Sequence, residues 1–382
     1  MCNYILSEAI AQRASDVHIE PTETAAQVRF RVDGLLQIFL TLPRTSFSPM
    51  VARYKIISNL DIAKNRVPQD GHFNVTHHNK PVHFRISTLP TALGVKVVIR
   101  ILPQEHGQLT LGALGLEAHE LGLFKHALGQ PQGLILVTGP TGSGKTTTIH
   151  AGLSHINRPE VNIVTLEDPV EATILGVNHV GIHPVAGLTF PGVLRSILRQ
   201  DPDIIFVGEI RDGEVADIAL KAALTGHLVL STLHTNSAVE TILRMEDLGV
   251  APYLLASSLS LVISQRLVRK VCERCATEHA PTDEELSALG VDKNLLVGGR
   301  FRKGAGCPHC NNTGYHGRTA IYEFLPLTPE LREGVRKGIG LEPLRALARQ
   351  QGMVNLMESG ILKMRRGFTT AQELARVVYR EL

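Results

Sequence analysis

The chain has 382 residues, more than one core of roughly 100–200 residues requires, so two or three domains are expected. Its 39 Lys and Arg against 36 Asp and Glu leave a formal charge of +3, and with no Trp and 4% aromatics it has neither the charge nor the rings of a dedicated nucleic-acid binder. No run approaches the ~18–20 apolar residues of a membrane span, and Met1-Cys2-Asn3-Tyr4 lacks the basic-then-apolar layout of a signal peptide, so the cytoplasm is the expected compartment.

Residues 1–102 are expected to form an α+β domain. Gln27-Val28-Arg29-Phe30-Arg31-Val32 and Val82-His83-Phe84-Arg85-Ile86 alternate as strands do, Asp33-Gly34 reads as a turn, and Met50 to Ile62 carries helical spacing. Residues 103–115, rich in Gly and Leu without periodicity, are expected to be a linker. Across 116–268 short apolar runs, Leu134–Val137, Val161–Val164, Ile204–Val207 and Leu228–Leu230, alternate with helix-like stretches, the pattern of a parallel sheet covered on both faces. Two C-x-x-C pairs define a subdomain over 269–318, and 319–382 reads as helical with no strong strand signal.

Gly139-Pro140-Thr141-Gly142-Ser143-Gly144-Lys145-Thr146 satisfies G-x-x-x-x-G-K-[ST] between a strand and a helix-compatible run. Its glycines let backbone N–H groups turn inward around phosphate, Lys145 reaches the β/γ oxygens, and the Thr146 hydroxyl is placed for Mg²⁺, with Thr147 following. The ligand expected is ATP. Hydrolysis also needs acids, and Glu209 follows the strand 204–207 as Glu167 and Asp168 follow the strand 161–164, at the sheet edge where ligands of such folds gather. Either acid is a candidate to orient water or to hold the metal. His227 and His234 flank a further strand, where an imidazole is a candidate γ-phosphate sensor.

These segments together resemble the ATPases of type II secretion and type IV pilus assembly, from Ala14-Ser15-Asp16-Val17-His18-Ile19-Glu20-Pro21 to the tail. Leu166-Glu167-Asp168-Pro169-Val170-Glu171 resembles that family's aspartate box, Gly208-Glu209-Ile210-Arg211-Asp212 its Walker B segment, and Thr225-Gly226-His227 through Asn236 its histidine box. The resemblance implies a RecA-like P-loop core behind a PAS-like α+β domain, with Arg85 and Arg100 of the first half and Arg195, Arg199, Arg211 and Arg244 of the second brought to the nucleotide or its subunit boundary. It implies a homo-oligomer, a hexamer, working on an inner-membrane platform protein and peripherally associated with that membrane through partners. Glu209 then holds Mg²⁺ through water and Glu167 positions the attacking water, or the reverse. The family's longer members carry an extra N-terminal docking domain, and this chain starts where that domain would already have ended.

Cys272-Glu273-Arg274-Cys275 and Cys307-Pro308-His309-Cys310, separated by 31 residues, offer four thiolates for a structural Zn²⁺; reduced free thiols and a redox pair are the rival readings. Arg266, Arg269, Lys270, Arg302 and Lys303 read as a solvated basic face, with anionic lipid or nucleic acid as the alternative partner. Two other functions stay open at this point: a zinc-containing nucleic-acid translocase, including a DNA-uptake or conjugation ATPase, and a nucleotide-switched scaffold that scarcely hydrolyses.

Overall fold

The chain divides into two units, Met1–His106 and Gly107–Leu382, and the computed structural model describes residues 1–102, 110–183, 186–291, 296 and 298–378. The first unit runs α1 (Cys2–Ala11), β1 (Asp16–Pro21), β2 (Ala25–Val32), β3 (Leu35–Pro43), α2 (Phe47–Ile57), β4 (Gln69–His77), β5 (Lys80–Thr91) and β6 (Gly94–Ile101). Its strands form one sheet in the order β3-β2-β1-β6-β5-β4, every pair antiparallel. Burial alternates along β2 and most of β5 because successive side chains point to opposite faces. Val17, Ile19, Val28, Phe30, Phe84, Ile86, Val97 and Ile99 pack with Ile5 and Leu6 of α1 and Met50 and Tyr54 of α2.

Asp33 and Gly34 close the β2–β3 hairpin with φ of 49° and 89°, the two positive values that a two-residue primed turn demands. On the polar side of the sheet the register lines up Arg31, Asp16, Arg100, Arg85 and His72 across five adjacent strands.

The second unit runs α3 (Ala118–Leu128), β7 (Gly133–Thr138), α4 (Lys145–Ile156), β8 (Ile163–Glu167), β9 (Asn178–Gly181), α5 (Phe190–Ile197), β10 (Ile204–Val207), α6 (Gly213–Leu224), β11 (Leu228–Leu233), α7 (Ala238–Asp247), α8 (Pro252–Ser258), β12 (Leu259–Val271), β13 (Ala276–Glu278), α9 (Asp283–Leu289), β14 (Arg302–Gly304), β15 (Tyr315–Pro326), α10 (Pro329–Lys337), α11 (Leu341–Gln350), α12 (Leu356–Arg365) and α13 (Ala371–Val377). Seven strands form a mixed sheet in the order β15-β12-β7-β11-β10-β8-β9, parallel except for β15. Every residue of β7, β8, β10 and β11 is buried, since helices cover both faces. One core joins the sheet to α5–α8, α10 and α11, a second joins it to α3 and α4, and a third packs β12 and β15 against α9, α12 and α13.

Three differences from the sequence reading follow. The sheet extends through β12 to Val271, and β15 occupies the start of the segment expected to be helical; its run Ala320-Ile321-Tyr322-Glu323-Phe324-Leu325 is buried at every position, so it lacks the alternation that marks a strand. Residues 103–109 of the expected linker lie outside the described residues, whereas Leu111 and Leu114 are buried against α4. Finally, β8 starts at Ile163 and includes Glu167.

Candidate functional site

The phosphate loop leaves β7 at Thr138 and enters α4 at Lys145, which places it at the C-terminal edge of the parallel strands. Gly139, Gly142 and Gly144 have φ of 147°, 78° and 87°. At Gly139 a methyl group would lie 2.5 Å from the Gln265 carbonyl and 2.7 Å from Ser143 Oγ, so only glycine fits. Pro140, Thr141 and Gly142 form the outer turn.

Lys145 Nζ folds back onto the loop, donating to the Gly139 carbonyl at 2.8 Å and the Pro140 carbonyl at 3.1 Å. Burial lowers its pKa to about 8, with nearby Glu209 opposing and Arg266 adding to the shift. Ser143 Oγ is buried with no hydrogen-bond partner, and the hydroxyl of Thr146 has none among the described residues. A loop rich in positive φ, with a lysine nearby and two unsatisfied hydroxyls, fits a phosphate and a Mg²⁺ ion.

The aspartate-box, Walker B and histidine-box segments meet beside it, and Arg211 lies where they join. Its guanidinium bonds Glu209, with Nε 2.7 Å from Oε1, and lies 3.5 Å from Asp168. On the other side of Glu209 stands His234, Nε2 at 3.4 Å. Burial raises the Glu209 pKa, but the Arg211 and His234 neighbours outweigh that and hold it below the usual range.

Glu167 behaves differently from the expectation of a carboxylate facing solvent and substrate. It is 3% exposed and turns towards α4. Its Oε1 accepts from Thr165 Oγ1 at 2.7 Å and faces His179 Nδ1 at 2.8 Å, while His150 Nε2 stands off at 3.6 Å. Burial pushes its pKa up; the two imidazoles and the Thr165 hydroxyl more than reverse this, to about 2.

Within the second unit, His227, Arg195, Arg199 and Arg244 make their contacts outside this cluster. His227 precedes β11 and bonds the Ala222 carbonyl at 3.0 Å, at the end of the strand opposite His234 and roughly 20 Å from it at ~3.3 Å per residue. A parallel strand carries its two ends to opposite sheet edges. Arg195 on α5 pairs with Glu214 at 2.6 Å, and Arg199 bonds Ser196 Oγ at 3.1 Å. Arg244 is exposed on α7. In the first unit Arg85 is exposed, and Arg100 bonds Asp16 at 3.0 Å.

Two residues at the loop escaped the sequence reading. Gln265 on β12 is 2% exposed, donates to the Ser143 carbonyl at 2.7 Å and accepts from Thr148 Oγ1 at 2.7 Å. Arg266, read as part of a solvated basic face, is 7% exposed. Arg269 is likewise no free surface charge, since it stacks 4.0 Å over Tyr315 and pairs with Glu373. Both arginines belong to β12, whose place beside β7 no local pattern announces.

The four cysteines converge, all ligand atoms within 4.8 Å of one another. Their Sγ separations, 3.9 Å for Cys272–Cys307, 3.8 Å for Cys275–Cys310 and 3.7 Å for Cys307–Cys310, match the ~3.8 Å edge of a tetrahedron with ~2.3 Å Zn–S bonds and are far from a disulfide. The cluster is therefore compatible with zinc. Gly304 and Gly314 pass so closely that a methyl group on Gly304 would sit 2.0 Å from the Gly314 carbonyl.

A phosphate loop on an interior strand of a mostly parallel sheet, with acids, an arginine and a histidine gathered at the C-terminal edge of the neighbouring strands, defines the class: a P-loop ATPase core. The chain belongs to the type II/IV secretion system protein family, whose profile matches residues 1–376. It is 49% identical over 378 residues to the protein transport protein HofB homolog of Escherichia coli K12, covering 98% of this chain and 80% of that protein. It is 45% identical over 375 residues to the type IV pilus assembly ATPase PilB of Thermus thermophilus, covering 98% of this chain but 42% of that longer protein. Among solved structures, the pilus retraction motor PilT with bound ADP superposes with a TM-score of 0.60 at 29% identity, covering 93% of this chain and 94% of that one. Among the described residues no helix is long and apolar enough to cross a membrane.

Proposed function

We propose that this chain hydrolyses ATP with Mg²⁺ and couples the reaction to assembly of a type IV pilus or a type II secretion pseudopilus. It works as a homo-oligomeric ring, a hexamer, on the cytoplasmic side of an inner-membrane platform protein. The observation that carries this reading is the gathering of Lys145, Glu209, Arg211 and His234 on one sheet edge of a secretion-family chain.

The loop 139–146 would hold the phosphates, and Thr146, with one of the acids Glu209 and Glu167 through water, would hold Mg²⁺, whose charge would offset that of the transferred phosphoryl group. Of the two acids, Glu209 is the better placed to position the attacking water, because its side chain is 22% exposed whereas that of Glu167 is 4% exposed beneath α4. His234 sits against Glu209 and senses the γ-phosphate through it. Arg85 and Arg100 supply guanidinium charge from the first unit, and Arg195, Arg199, Arg211 and Arg244 serve the subunit boundary. The cysteine quartet binds Zn²⁺ as a closed structural site, since four thiolates leave no position for water.

The test is Mg²⁺-dependent phosphate release by the full chain, together with cross-linking in its native cell. Glu209→Gln is expected to lower kcat at least 100-fold while nucleotide still binds, and cross-linking is expected to recover an integral inner-membrane protein. Turnover stimulated by polynucleotide, with no membrane protein recovered, would replace the assembly motor by a nucleic-acid translocase.

A further inference from the structure

Gln265 and Arg266 are adjacent on β12, just past Ser264, which pairs with Thr138 at the point where the phosphate loop departs. Consecutive strand residues face opposite sides of a sheet. Gln265 therefore meets the α4 side and Arg266 the α7 side.

The Gln265 amide spans the loop and its helix. Its Nε2 donates to the Ser143 carbonyl at 2.7 Å and its Oε1 accepts from Thr148 at 2.7 Å. A loop that cradles phosphate turns its N–H groups inward and some carbonyls outward, and an outward carbonyl in a buried place needs a donor. Gln265 supplies that donor for Ser143. The space around the amide is taken as well, for a methyl group on Gly144 would lie 2.8 Å from Nε2.

Arg266 binds the other side of the site. Its Nη2 donates to the Asn236 carbonyl at 3.1 Å and to Asn236 Oδ1 at 3.2 Å, while Nη1 donates to the Gln265 carbonyl at 3.0 Å. Asn236 lies in the β11–α7 connection, two residues after His234. These hydrogen bonds tie a buried guanidinium, beside the loop's first glycine and with the Glu323 and Glu240 carboxylates near enough to favour its charge, to Asn236 of that connection.

We propose that Gln265 and Arg266 are paired positioning residues of the nucleotide site. Gln265 sets the shape of the phosphate loop and so governs affinity, whereas Arg266 holds the connection that carries His234 and so governs turnover. The inference rests on the ATPase reading above.

The experiment compares the full wild-type chain with Gln265→Leu, Thr148→Val and Arg266→Met. It measures binding of a fluorescent ADP analogue, KM and kcat for ATP, and Tm without nucleotide. Gln265→Leu is expected to weaken binding and raise KM at least 10-fold with kcat within 3-fold; the near-isosteric Thr148→Val, which removes half of the same bridge, is expected to weaken binding 3-fold or more and guards against a misfolded leucine variant. Arg266→Met is expected to lower kcat at least 10-fold with affinity within 3-fold. Variants that lose only Tm, with affinity and kcat unchanged in the folded protein, would overturn the proposal, as would one shared pattern for both positions. A wild-type chain that binds no nucleotide would bring down the ATPase reading itself, and the proposal with it.

Discussion

His179 holds Glu167 as a neutral imidazole. Its Nε2 accepts the Ile174 N–H at 2.9 Å, so the proton sits on Nδ1, 2.8 Å from Glu167 Oε1. The aspartate-box loop after β8 thus reaches the carboxylate at the strand's end through one ring.

His179→Leu leaves that buried carboxylate short of a donor and is expected to cost about 1–3 kcal/mol of stability. Because the folded pKa of Glu167 is depressed from 4.5 to about 2, its stabilisation is complete above pH about 4.5 and is lost as pH falls towards 2. Chemical denaturation across this range is expected to show a shallower acid limb in Glu167→Gln than in wild type; identical limbs would contradict the assignment.

Lys145→Met is expected to abolish ATP turnover and yet stabilise the nucleotide-free protein. Burial lowers the lysine from 10.5 to about 8, so a charged ammonium destabilises the folded state, fully below pH about 8 and less as pH rises towards 10.5. At pH 7 the gain is about 1–3 kcal/mol, reduced by the loss of the two bonds to the loop carbonyls. The difference between variant and wild type is expected to shrink above pH 8 in thermal melts without nucleotide.

One zinc per chain is expected by elemental analysis of protein purified without chelator. Cys307→Ser, or a strong chelator, is expected to remove it and to lower the Tm. Gly304→Ala is expected to have the same effect without touching a ligand, because the added methyl meets the Gly314 carbonyl. Unchanged zinc in Gly304→Ala would show that the segments carrying Gly304 and Gly314 can separate.

Glu373 is fully buried on α13 and receives Arg269 Nε at 3.0 Å, Nη2 at 2.8 Å and the Arg269 backbone N–H at 3.0 Å, with Arg376 as a second cation. Glu373→Ala strands the Arg269 charge and is expected to cost about 3–5 kcal/mol. Glu373→Gln keeps the shape and is expected to cost less. Equal urea midpoints for wild type and Glu373→Ala would refute a structural role.

Much of this site was legible because a phosphate loop is a local device. Eight consecutive residues contain their own glycines, lysine and hydroxyl, and the strand before and the helix after them are short-range patterns. The same holds for the two cysteine pairs and for the Asp33-Gly34 turn. Glu209 and Arg211, two residues apart, were also identifiable as neighbours of a strand end.

The order of strands was not legible, and most of the differences follow from it. Only the lateral placement of β12 beside β7 makes Gln265 a brace of the phosphate loop and buries Arg266, whose sequence neighbours suggested solvent. His227 and His234 look equivalent as flanks of one apolar run, but a strand has two ends and only one lies at the site. Glu167 and Glu209 both sit at strand ends. Which of them faces the lysine, and which is locked beneath α4, was decided by His179 of β9 and His150 of α4, neither of which belongs to a motif. The sequence by itself determined the loop, the cysteine quartet and the family, because these are encoded by residue types at fixed spacing. Tertiary structure alone decided which charges are exposed and which acid meets the phosphate loop, because burial and facing depend on elements distant in the chain.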